Sequence, residues 1–211
     1  MSAGWDGLAV TVRGDGPGVL WLHGYTMRAE VWRPVWAHLP GLRHVGLDLP
    51  WHGASRPARD GETLAGLAAT VTAAALATGV RHVVALSFGT VLAVEMAAAR
   101  PDAFRSWTLA APALAGMPHE PAVRQRYLDL ARLYREAGPG RHLTRLWMSH
   151  PPAIFAGVAA RPAVHSALAA VIDRHRWDEL RGDGMRALVR RPQRAAALAG
   201  LRAPLLVLTG D

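Results

Sequence analysis

Ser87 stands between two small residues in Ala85-Leu86-Ser87-Phe88-Gly89, where an apolar run gives way to a helical pattern. A hydroxyl so placed can act as a nucleophile. Residues 82–86 read as a buried parallel strand, and residues 89–100 as a helix halted by Pro101. The chain must turn within very few residues between them. The positions two before and two after the serine therefore need minimal side chains, which Ala85 and Gly89 provide. The turn lifts the hydroxyl out of the sheet and sets it at the positive end of a helix. A serine in this position has a second use, capping helix amides, and these five residues leave both roles open.

Two upstream blocks have the same strand-into-turn form. Val19-Leu20-Trp21-Leu22-His23-Gly24 is a strand running into a His-Gly turn, and a second strand ends in Asp48-Leu49-Pro50-Trp51-His52-Gly53-Ala54-Ser55. The three blocks, in this order, resemble the serine-nucleophile branch of the α/β-hydrolase family. The resemblance runs from about residue 18 to residue 211. It implies an α/β fold: a mostly parallel sheet, helices on both faces and an inserted helical cap. It also implies acyl transfer through a covalent ester on Ser87, with the oxyanion accepting from two main-chain N–H groups. One donor is Phe88 and the other Tyr25, with Thr26 as the neighbour that could supply the bond instead. The Tyr25 ring has two readings, pocket wall or packing. Two positions depart from the family pattern, Ala85 and Trp51, both of which replace a usual glycine.

A third departure concerns the acid and the base. In the family they follow the serine, the acid two or three residues beyond the glycine of a late strand. Here residues 204–208 resemble that strand and Gly210 its glycine, so the acid and base are expected beyond residue 211, with the last strands and helix of the fold. Asp211 is a candidate acid by position alone. Residues 106–111, the strand after the elbow helix, lead into Pro112 and Ala113 without a carboxylate. Among the histidines, His23 and His52 belong to turns, where a ring more often ties loops together than abstracts protons. His119, His142, His150, His165 and His175 fall in the helical region without the close pairing of a metal site. A histidine from that region standing in for the base is an alternative. Losing one oxyanion donor costs about 10²- to 10³-fold in turnover, whereas losing the base costs on the order of 10⁶-fold. These 211 residues alone are therefore expected to hydrolyse esters barely above background.

The rest of the chain is consistent with one soluble enzyme domain carrying an insertion. A length of 211 residues, 51% hydrophobic, suffices for one substantial core. Cysteine is absent, which excludes disulfides and a thiol nucleophile. The start has no basic stretch leading into an apolar run, so no secretory signal is read and a cytoplasmic location is expected. Residues 64–80 carry no charge, but Leu64, Leu67 and Val71 make one stripe of an amphipathic helix against the sheet, with Gly79 ending it. The formal charge of +8 comes entirely from scattered arginines over acids, without interleaved aromatics, so no nucleic-acid partner is expected.

Strands alternate with helices over residues 1–111, which form the first part of the core. Residues 112–191 are short helical patterns broken by glycine and proline, matching a cap, and residues 192–211 return to the core. Tyr127, Leu130, Ala131 and Tyr134 share one face of the first helix of that region, and Trp147, Met148 and Phe155 are candidates for an acyl pocket. A small-molecule acyl substrate is expected, with no cofactor, metal or membrane partner. A serine nucleophile excludes the branches that need aspartate. Carboxylester hydrolysis ranks first, beside acyl transfer, carbon–carbon bond hydrolysis and a non-catalytic binding protein of the same fold.

Overall fold

The computed structural model describes residues 4–118, 120–149 and 157–210. Six strands form one sheet in the order β1-β3-β2-β4-β5-β6. They are β1 (Val10–Arg13), β2 (Gly18–Leu22), β3 (Arg43–Leu47), β4 (Val80–Leu86), β5 (Ser106–Ala110) and β6 (Leu205–Leu208). Only β1 runs antiparallel, against β3; the other neighbours are parallel. Ahead of β1, Leu8 closes a turn by donating its N–H to the Trp5 carbonyl at 2.9 Å.

Strand alternation divides the apolar side chains between two faces. Leu20, Leu22, Val45, Leu47, Val83, Ala85, Trp107 and Leu109 point into the larger cluster. That face is covered by α2 (Leu64–Ala77) and α3 (Phe88–Ala99). Thr63 caps α2 by accepting from the Gly66 N–H at 3.1 Å, and the buried Leu64, Leu67 and Val71 form the expected stripe. Val19 and Trp21 point the other way, against Trp32 and Trp36. These two tryptophans sit on a single 3₁₀ turn (Ala29–Trp32) and the short α1 (Arg33–Ala37).

Between β5 and β6 the chain forms α4 (Pro121–Ala137), α5 (Arg141–Ser149), α6 (Pro162–Ile172) and α7 (Gly184–Leu188). This layer has its own apolar cluster of Leu130, Tyr134, Leu143, Trp147, Ile172 and Trp177, into which Tyr25 of the core inserts. Its two ends are stitched together. The Gln193 N–H donates to the Ala115 carbonyl at 2.9 Å, and its side-chain oxygen accepts from the Ala115 N–H at 3.0 Å. The Gln193 amide nitrogen donates in turn to the Val91 carbonyl at 2.9 Å, anchoring the junction to α3.

Candidate active site

Every parallel strand delivers a turn to one end of the sheet, and Ser87 stands on the turn between β4 and α3. Its backbone is left-handed, with φ +46° and ψ −115°, a conformation that costs a non-glycine residue about 1–3 kcal/mol. The turn is held from three directions. The Ser87 N–H donates to the Ala110 carbonyl at 2.9 Å, and the Thr90 hydroxyl donates to the Ser87 carbonyl at 2.5 Å while accepting from the Ala113 N–H at 2.8 Å. Gly89 brings α3 onto the end of β2. A Cβ at that position would lie 2.7 Å from both the Leu22 and His23 carbonyl oxygens. Ser87 occupies the N-cap position of α3, yet its side chain caps no amide, so the hydroxyl is not committed to the helix.

The main-chain N–H groups of Tyr25 and Phe88 donate to no protein acceptor among the described residues. Thr26 differs: its N–H donates to Nε2 of His52 at 3.2 Å. That bond leaves Tyr25, of the two neighbours, with the uncommitted amide. Thr26 itself is left-handed at φ +64°.

His23 and His52 are both fully committed to loop structure. The Nδ1–H of His23 donates to the Gly24 carbonyl at 2.8 Å and its Nε2 accepts from the Leu49 N–H at 3.0 Å. His52 donates from Nδ1 to the Pro50 carbonyl at 2.8 Å while its Nε2 accepts from Thr26. These bonds fix the neutral tautomers, and burial disfavours protonation of each. It pushes His23 down to about 4 and His52 well below the ordinary histidine range, the latter helped by nearby His175. Asp48 has a similar structural role, its carboxylate accepting from the N–H groups of Ala29 at 2.8 Å and Ala54 at 3.1 Å.

Trp51 adopts φ +66°, the region where glycine is at ease, which accounts physically for a glycine preference at this turn. Its indole is buried against Gly184 of α7, where a Cβ would come within 2.8 Å of the ring. With Leu49, Leu64, Phe88, Val91 and Leu188 it lines an apolar cavity of about 10 Å³, room for little more than one water molecule.

The Tyr25 side chain belongs to the helical layer. Its ring meets Tyr127, Trp147, Phe88 and Trp177 edge-on, with centroids 5.6, 5.4, 6.3 and 6.4 Å away. Its hydroxyl donates to Oε1 of Glu179 at 2.7 Å, and Nε2 of His175 meets the same oxygen at 2.9 Å. Sequence reading passed over Glu179. The available signal was the spacing of four between His175 and Glu179, flanking an aromatic. Of the other candidates, Trp147 is buried against Tyr25 and Met148 packs beside it, whereas Asp211, Phe155, His119 and His150 lie outside the described residues. Among the described residues no imidazole is hydrogen-bonded to the Ser87 hydroxyl, and no group of three or more His, Cys, Asp or Glu residues is arranged to hold a metal. No described helix is long and apolar enough to cross a membrane.

Residues 17–204 match the model of a family described as the alpha/beta hydrolase fold. No curated protein is similar enough in sequence to match the chain. Solved structures similar in fold include a thermophilic esterase from Thermogutta terrifontis, with a TM-score of 0.75 at 21% identity over 96% of this chain and 74% of that one. A hydrolase from Pseudomonas aeruginosa PA01 gives 0.73 at 24% identity over 96% and 76%. An enol-lactonase from Burkholderia xenovorans LB400 gives 0.73 at 19% identity over 97% and 78%.

Proposed function

Because the chain belongs to the α/β-hydrolase fold family, we propose that it is a serine hydrolase acting on carboxylic esters or related acyl compounds through an acyl-Ser87 intermediate. One observation carries this reading: a strained, left-handed Ser87 whose hydroxyl caps nothing, in a turn flanked by the uncommitted amides of Phe88 and Tyr25. Ser87 Oγ attacks the acyl carbon and gives its proton to a base. The carbonyl π electrons move to oxygen, and the two amides stabilise the resulting oxyanion, a contribution of about 10²- to 10³-fold per donor. The C–O bond to the alcohol then breaks and the alcohol leaves with the proton. Water repeats the attack on the acyl carbon, releasing the carboxylic acid and restoring the serine.

The helical layer between β5 and β6 acts in this reading as a cap, and its apolar cluster favours an apolar or modestly polar acyl group. A non-catalytic binding protein of the same fold is the second reading.

The test uses activated esters of graded chain length, the protein expressed from its whole reading frame and its Ser87→Ala variant, together with a fluorophosphonate label. Turnover that falls to background in the variant, with the label on Ser87, supports the enzyme. Turnover that survives the substitution removes Ser87 from the mechanism, and absence of both turnover and labelling supports the binding protein.

A further inference from the structure

Tyr25, His175 and Glu179 bury a polar cluster at the meeting of core and cap, being 8%, 7% and 5% exposed. A buried carboxyl costs several kcal/mol unless its oxygens are bonded. Here one oxygen takes both bonds: Oε1 of Glu179 accepts from the Tyr25 hydroxyl at 2.7 Å and lies 2.9 Å from His175 Nε2, while Oε2 and His175 Nδ1 are buried without a partner. Burial, then the adjoining Glu179, raises the Tyr25 phenol well above its ordinary range, so the hydroxyl remains a donor.

The backbone around the cluster is strained in four separate segments. Thr26 (φ +64°), Trp51 (φ +66°), Ser87 (φ +46°) and Trp177 (φ +61°) are all left-handed without being glycine. Their segments converge on one ring. Tyr25 lies 5.9 Å from His52, 6.3 Å from Phe88, 6.0 Å from His175 and 6.4 Å from Trp177 between centroids. Strain of this kind persists where surrounding contacts over-determine it, and it gathers at sites where placement matters.

We propose that Glu179, steadied by His175, is a positioning residue that fixes the main-chain N–H of Tyr25 by holding the Tyr25 hydroxyl. The peptide plane that carries the Tyr25 N–H is held at its other end, where the Gly24 carbonyl accepts from His23 Nδ1–H at 2.8 Å and from the Met27 N–H at 3.2 Å, and Tyr25 itself is anchored at its side chain by Glu179, so this amide has little freedom to swing. Placement of an oxyanion donor matters steeply, because a displacement of about 1 Å can cost about 10²-fold in rate. The inference rests on the proposed role of Ser87, and its primary test does not need turnover.

Hydrogen exchange of individual amides is measured in the protein expressed from its whole reading frame and in its Tyr25→Phe and Glu179→Gln variants. Tyr25→Phe keeps the ring and removes the bond, and it is expected to speed exchange at the hydrogen-bonded amides of Thr26 and Met27, which flank the Tyr25 peptide, by about tenfold while the β4 amides keep their rates. Glu179→Gln retains an acceptor oxygen for the hydroxyl and puts an NH2 group in place of the unpartnered Oε2, so exchange near residue 25 is expected to stay within about threefold of the parent. Unchanged exchange in Tyr25→Phe, or a uniform rise across the chain, overturns the inference. In the protein from the whole reading frame, Tyr25→Phe is expected to lower kcat by about tenfold or more with KM changed less than about threefold, and Glu179→Gln to retain most of kcat. A Ser87-dependent enzyme in which Tyr25→Phe leaves kcat intact overturns this inference alone, whereas turnover that survives Ser87→Ala overturns the nucleophile reading.

Discussion

Gly89 lies so close beneath His23 that a Cβ on it would stand 2.7 Å from the His23 carbonyl oxygen. Helix α3 and strand β2 are thus in main-chain contact, and neither can retreat without moving the Ser87 turn. Gly89→Ala should destabilise the fold by about 2–3 kcal/mol, since overpacking against backbone relaxes poorly. The melting midpoint is expected to fall by roughly 5–10 °C. A midpoint equal to the parent's would show that the contact is looser than the geometry indicates.

Ser87→Gly should raise stability while abolishing turnover of the proposed reaction. The left-handed backbone at φ +46° costs a serine about 1–3 kcal/mol, of which the entropy of glycine in the unfolded chain offsets about 0.5–1. The expected net gain is about 1 kcal/mol, readable in a urea titration as a higher midpoint at constant slope. A lower midpoint would mean that the turn is not strained.

Acid should weaken the fold before the carboxylates titrate. The folded state holds His23 at about 4, against an ordinary 6.5, and lowers His52 as well. The unfolded chain therefore binds more protons than the folded one in this window, and stability falls as pH drops from about 6.5 to about 4. His23 alone accounts for a loss on the order of 3 kcal/mol, with His52 adding in the same direction. Urea midpoints at pH 7, 5.5 and 4.5 should decline in that order. A flat series would show that the two rings are not buried neutral.

Strand β6 sits at the edge of the sheet with Leu205, Leu206, Val207 and Leu208 between 39% and 53% exposed. An uncharged, apolar edge is a template for pairing with another chain. The 211-residue chain should self-associate at micromolar concentration, and Leu206→Lys should shift sedimentation toward the monomer. A parent that sediments as a monomer at all concentrations would show that the edge is protected.

Much of this architecture was legible from local signals. The small residues around Ser87 announced a tight turn, the alternation of strands with helices announced a parallel sheet, and the uncharged Leu64, Leu67, Val71 stripe announced α2. Contacts between distant segments were not legible. Nothing in the His-Gly motif told that His52 would take the Thr26 amide across 26 positions, which leaves Tyr25 as the neighbour with an uncommitted N–H. Glu179 was hidden for the same reason, because a surface-like acid in an Arg-rich stretch becomes a buried acceptor only when Tyr25 arrives from 154 residues away. Trp51 was visible as an oddity, but only its φ of +66° reveals that the oddity lies in the backbone.

The unpartnered Oε2 of Glu179 makes the packing of the helical layer on the core asymmetric in energy. Lifting the helical layer would break one hydrogen bond from Tyr25 and at the same moment return a dry carboxyl oxygen to water, where it is solvated at once. Hydration thus pulls steadily against the apolar contacts that keep the layer down. The helical layer is therefore held down less tightly than its apolar contacts alone would hold it.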